Sequence, residues 1–187
     1  MISDFPAIVD ACVLVQAAVR DTLLRLFERR LFLARWSDEI IDETVRTLRD
    51  KLGRTQEQMD HLVNELRSHF PDAWVEPGYR ELIPALTNQE KDRHVLAAAI
   101  KVPCEVIVTY NLKHFPEGSL SPHGISVKHP DEFLIDLYHI DSEIVVHELH
   151  QQGAELKKPR SIAEVLQSLE TCRCTQFVQL IRERLAL

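Results

Sequence analysis

Two acids and an amide stand where they could act together. Asp10 is a lone carboxylate inside the apolar run of residues 7–15, and Asn111 follows a second apolar run at 105–109. Asp92 precedes Val95, Leu96 and Ala99 at helical spacing, which puts it on a buried stripe near a helix start. In open parallel sheets, ligand sites form beyond the carboxyl ends of the strands, so side chains this far apart in sequence can converge. Gathered carboxylates repel by about 4 kcal/mol per pair at ~4 Å and an effective dielectric of ~20. A shared proton would offset that repulsion, and so would Mg2+ or Mn2+, which prefers oxygen ligands and retains waters able to attack a phosphate. The chemistry expected of such a cluster is metal-dependent phosphodiester hydrolysis. The plainer alternative for Asp92 is an acid that only complements a helix dipole.

The elements that must position these groups alternate along the chain. Residues 7–15 read as a buried parallel strand, 17–31 as a helix and 31–36 as a second strand. Ser37 is the expected N-cap of a helix that carries Asp38 and Glu39 in its first turn and stops at Gly53. A helix over 55–68, a short third strand at 73–75, a helix from Asn88 to Ile100, a strand at 105–109 and a last strand at 125–128 follow. Beyond Asp131 the pattern is only helical: 132–138, 142–151, 161–169 and 175–185, with Ser161 and Glu164 forming a capping box. This order predicts an α/β domain over 1–136, a mainly parallel sheet flanked by helices, and a helical C-terminal extension over 137–187.

Composition sets the boundaries. The 187 residues are 45% apolar and 27% charged, enough for a core without disulfides. The four cysteines lack zinc-site spacing, so a reduced, cytoplasmic chain is expected. No basic leader opens the sequence and no apolar run approaches membrane-spanning length, so no membrane partner is expected. A net charge of −7 argues against broad adhesion to nucleic acid but leaves local patches open.

Four runs carry a resemblance: Asp10 on its apolar strand, Ser37-Asp38-Glu39-Ile40-Ile41-Asp42-Glu43, Lys91-Asp92-Arg93-His94-Val95-Leu96-Ala97-Ala98-Ala99, and Val108-Thr109-Tyr110-Asn111-Leu112-Lys113-His114-Phe115-Pro116. In order and spacing, over residues 5–135, they resemble the PIN-domain family, and the last two runs resemble its VapC-type toxin branch. The tail resembles the C-terminal extension some of those proteins carry. The resemblance implies a three-layer, flavodoxin-like parallel sheet and an acidic Mg2+ or Mn2+ site. It also implies endoribonuclease activity within a type II toxin–antitoxin system, an RNA substrate, a cognate antitoxin and a homodimer. Carried over by position, Asp10, Glu43 and Asp92 are the metal-binding acids, and Asn111 takes the fourth acidic position. Three departures stand out. Ala11 replaces the Asn common after the first Asp, Asn111 is neutral, and His114 occupies a position that is often Asp. They leave a second reading open, a catalytically weakened PIN-fold module that binds RNA or protein. For Glu43 itself, the apolar stripe of Ile41, Val45, Leu48 and Leu52 lies about 160° away, the position of a solvated helix acid, with Asp42 and Asp38 as alternatives.

Other features are weighed the same way. Arg20, Arg25, Arg29, Arg30 and Arg35 face only Asp21 and Glu28 locally, either an RNA-phosphate contact or a solvated helix face. Lys113 and His114 follow the proposed site strand, so they either contact a scissile phosphate or take part in proton transfer, or, the favoured reading, are loop-surface residues. Arg93 and His94 are expected to point away from Asp92. Thr109 either supports an acid or is a β-branched strand residue. Trp36 and Trp74 are expected in the core, and Cys12 as a small buried apolar group.

Overall fold

The computed structural model describes residues 5–186. Four strands, β1 (Pro6–Val9), β2 (Leu33–Arg35), β3 (Val106–Val108) and β4 (Ser126–Lys128), form one all-parallel sheet in the order β2-β1-β3-β4. The central strands are buried on both faces, as their uninterrupted Ala-Ile-Val and Val-Ile-Val runs require. Ala7 pairs with Ala34 on one side and Val106 on the other, and Val9 pairs with Val108.

The helices are α1 (Ala11–Leu14), α2 (Ala17–Glu28), α3 (Asp38–Leu52), α4 (Gln56–His69), α5 (Arg93–Lys101), α6 (Glu117–Leu120), α7 (Pro130–Ile140), α8 (Ser142–Ala154), α9 (Ile162–Thr171) and α10 (Thr175–Leu185). Their ends follow local chemistry. The Ser37 hydroxyl caps α3 by accepting from Ile40 N at 3.3 Å. At the other end Gly53, at φ 61°, donates its N–H to Arg49 O in a left-handed C-terminal closure, and Arg54 N reaches back to Leu48 O. Thr55 with Gln58 and Ser161 with Glu164 complete capping boxes on α4 and α9. None of the described helices is long and apolar enough to cross a membrane.

Two expectations need correction. The apolar run at 7–15 is not one strand. Asp10 N still donates to Val108 O, but the Asp10 carbonyl accepts from Val13 N and Leu14 N, so the chain turns into α1 at that residue. Residues 73–75 do not form a third strand. Trp74 makes only an isolated parallel bridge to Trp36, because Pro71 and Pro77 open 3-10 turns (Pro71–Ala73 and Pro77–Ala85) on either side of it. Trp36 is fully buried and meets Trp74 edge to face at 6.2 Å.

The core is one cluster running from Ala7 to Ile181, so the two proposed units, 1–136 and 137–187, share it. Residues 1–4 and 187 of those units lie outside the described residues. Phe133 on α7 packs edge-on against Phe32 at 5.1 Å and Phe5 at 6.1 Å. The seam between α2 and α8 is polar. The Thr22 hydroxyl donates to Gln152 Oε1 at 2.7 Å, and Glu148, 4% exposed, takes Arg25 and Arg29 as ion-pair partners. Arg25 also reaches Asp21 at 3.2 Å and Glu155 at 2.8 Å. Replacing Arg25 and Arg29 together by alanine strands the Glu148 carboxylate. Urea denaturation is expected to show a loss of about 3 kcal/mol, and a change near zero would mean that Glu148 is solvated instead.

Candidate functional site

Asp10, Glu43, Asp92 and Asn111 all line one cavity of about 380 Å³ beyond the carboxyl ends of β1 and β3. Each arrives by a different route. Asp10 ends β1 and is buried. Thr109 Oγ1 donates to Asp10 Oδ2 at 2.6 Å and the Cys12 thiol donates to the same oxygen at 3.2 Å, while Oδ1 has no donor among the described residues. The Thr109 hydroxyl in turn accepts from Asn111 N at 3.0 Å, which commits its proton to Asp10. Thr109 therefore supports the acid, the first of its two readings. Burial, reinforced by the Asp10 charge, pushes the Cys12 thiol up to about 12, so it stays a protonated donor and not a nucleophile.

Asp92 closes the 3-10 turn Glu90–Asp92 at the start of α5, is buried and makes no side-chain cap bond. Its carboxyl is raised by burial, with the charges of Asp10 and Glu43 pushing the same way and Lys91 and His114 opposing. Its Oδ2 is enclosed without a hydrogen bond. His114 Nδ1 lies 3.1 Å from that oxygen but off the line a hydrogen bond requires. His114 is thus buried beside the acids and not on the loop surface. The 3-10 turn Leu112–His114, closed by His114 N to Asn111 O, carries it inward.

Glu43 joins the cavity because the buried face of α3 is Ile40, Ile41, Thr44 and Leu48, rotated toward Glu43 from the stripe its leucines and valine suggest. His94 Nε2 sits 3.4 Å from Glu43 Oε1 and its Nδ1 3.7 Å from Glu39. His94 therefore turns toward α3. The contacts are too long and too oblique for hydrogen bonds and act as charge pairs. His94 lowers the Glu43 carboxyl; for His94, burial acts downward, but the adjoining Glu43 and Glu39 outweigh it and the net shift is upward. Asp38, which pairs with Arg67 at 2.9 Å, and the exposed Asp42 do not line the cavity.

Arg46, Lys51 and Lys91 also line it, and none has an ion-pair partner among the described residues. Sequence reasoning missed these cations. The available signal was that Arg46 follows Glu43 by three residues on one helix and that Lys91 adjoins Asp92. The arginines of α2 that attracted attention instead are committed elsewhere: Arg25 and Arg29 to carboxylates, Arg20 to Leu14 O.

The donor set is all oxygen, and two of its atoms, Asp10 Oδ1 and Asp92 Oδ2, have no hydrogen bond, which fits a hard divalent cation. Among the described residues no three of His, Cys, Asp and Glu are gathered tightly enough to enclose an ion by themselves. Such a site would take few protein ligands and leave the rest to water, the habit of Mg2+.

Comparisons with known proteins extend this picture. Residues 6–113 match the PIN domain model, and residues 130–183 match that of the VapC50 C-terminal domain. A curated Mycobacterium tuberculosis protein described as "Putative ribonuclease VapC50" is 59% identical over 59 residues, 32% of this chain and 35% of that protein. The chain thus spans about a third of the length of the curated relative it matches. No solved structure matches the chain.

Replacing Thr109 by valine keeps the shape but removes the 2.6 Å donor from a buried carboxylate. Denaturation is expected to show a loss of about 2 kcal/mol, with Thr109→Ser close to wild type. A neutral Thr109→Val would mean that Asp10 is held some other way.

Proposed function

Because the chain belongs to the PIN-domain family, we propose that its acid cleft hydrolyses RNA phosphodiester bonds with Mg2+ or Mn2+, as the toxin component of a type II toxin–antitoxin system. The observation that carries this reading is the convergence of Asp10, Glu43, Asp92 and Asn111 on one cavity beside the unpaired Arg46, Lys51 and Lys91. A bound divalent ion would supply the positive charge that offsets repulsion among the acids and the negative charge gathering on the phosphoryl and leaving oxygens. Asp10 and Asp92 hold it. Asp10 is pre-set by Thr109, so it needs no reorganisation as charge develops. Glu43, kept ionised by His94, orients the attacking water and accepts its proton. Asn111 positions a ligand through a hydrogen bond. Arg46, Lys51 and Lys91 hold the RNA backbone against a net negative chain. Water attack breaks the bond to the 3′ oxygen, which leaves as a 3′-hydroxyl and gives a 5′-phosphate on the other product.

The cognate antitoxin would place an Arg or Lys against the acids and lay an apolar helix in the adjoining groove of about 430 Å³. That groove, between α3 and α4, offers Leu48, Leu52, Met59 and Leu62 and shares Val15 and Gln16 with the cleft. Leu52 there is 54% exposed. Light scattering across a concentration series reads the homodimer; a monomer mass throughout would remove it.

A binding module that does not cleave is favoured by one observation, that Asn111 and His114, neither of them an acid, stand where further acids would. Mn2+ titration with RNA separates the two readings. Metal-dependent cleavage abolished by both Asp10→Asn and Asp92→Asn supports the enzyme, and tight RNA or protein binding with no cleavage supports the module. His114→Asp places a second carboxylate beside Asp92. It is expected to lower the metal-free melting temperature and to enlarge the rise on adding Mn2+; an unchanged response to Mn2+ would take Asp92 out of the metal site.

A further inference from the structure

The C-terminal extension borders the acid cleft. A second pocket of about 330 Å³ shares Cys12 and Gln16 with that cleft and is otherwise walled by Tyr110, Thr171, Cys172 and Arg173. The wall is fixed from both sides. Tyr110 Oη donates to the Cys172 carbonyl at 2.7 Å, and the buried Asp131 carboxylate accepts from Gln176 N at 3.2 Å and Phe177 N at 2.8 Å. Between these anchors Arg173 takes φ 64°, in the left-handed region that costs a side chain about 1 kcal/mol or more. Its side chain is exposed and has no ion-pair or hydrogen-bond partner among the described residues. Arg25 and Arg29 are neutralised by nearby acids; Arg173 is held in a strained turn with its charge open.

We propose that this pocket is a flanking-nucleotide subsite of the substrate channel, in which Arg173 is a positioning residue that binds the RNA phosphate next to the scissile one. The proposal rests on the ribonuclease reading of the acid cleft. The shared Cys12 lies two residues from Asp10, so a strand with its scissile phosphate at Asp10 and Asp92 passes directly into the pocket. A guanidinium matches a phosphate through paired donors, and a phosphate contact of this kind places the strand without reading its sequence. The extension thereby becomes part of the substrate site and not only a cover for the sheet.

The test uses the full chain and a short 5′-fluorescein-labelled oligouridylate. Binding is followed by anisotropy in Ca2+ over a range of KCl concentrations. Arg173→Gly removes the guanidinium and suits φ 64°, so its melting temperature is expected to match or exceed that of wild type. Its RNA affinity should fall about tenfold. Its log K against log salt slope should shrink by about 0.7, as for one lost phosphate contact on a single strand. Arg173→Lys should recover most of both. In Mn2+-dependent cleavage of the same RNA, KM should rise while kcat holds. Wild-type affinity and slope in Arg173→Gly would overturn the subsite, even if that variant lost a protein partner, and would leave the ribonuclease reading intact. A wild-type chain that neither binds nor cleaves the RNA would remove the ribonuclease reading, and the subsite with it.

Discussion

A carboxylate buried at the end of a parallel strand must find its donors on the neighbouring strand, and most of this site follows from that requirement at Asp10. With Val9 paired to Val108, Asp10 and Thr109 are the next residues along two adjacent strands. The sheet register therefore delivers the hydroxyl to the acid. A slip of one residue would send Thr109 to the opposite face and leave the carboxylate to a thiol alone. The same residue also ends the ladder: Asp10 N completes it, while its carbonyl starts α1 and turns Ala11 and Cys12 along the cavity wall. Strand pairing, helix initiation and the orientation of the site are one local event.

Charge is distributed to match. Arg25 and Arg29, at the C-terminal end of α2, face the C-terminal extension, where the buried Glu148 takes both as ion-pair partners. Cations without carboxylate partners stand instead among the acids, at Arg46, Lys51 and Lys91. A segment's local excess of arginine thus says little about which cations can meet a ligand. Their ion-pair partners decide that, and here Glu148 and Glu155 come from more than a hundred residues away.

The sequence made some of this legible and hid the rest for physical reasons. Asp10 and Asp92 could be read from pattern, since a lone carboxylate in an apolar strand and an acid in phase with a buried helix stripe both need a reason to be there. Glu43 could not, because periodicity weighs Val45 and Leu52 as core while the helix actually buries Ile40 and Thr44. His114 was misplaced because it is polar and adjoins a loop, and only tertiary packing turns it inward. The expected strand at 73–75 has strand-forming residues but sits between prolines that limit it to a single bridge. The helices of the tail were legible almost to their ends, their caps being local signals. That they share a core with the sheet is non-local and was not legible.

That shared core has a consequence in time. During synthesis the sheet and its acids leave the ribosome before α8, α9 and α10. At roughly 5–20 residues per second the interval lasts seconds. Through it Thr22, Arg25 and Tyr110 wait for Gln152, Glu148 and Cys172. The contacts to α8, α9 and α10 close last, so completion of the shared core is paced by translation of the C-terminal helices.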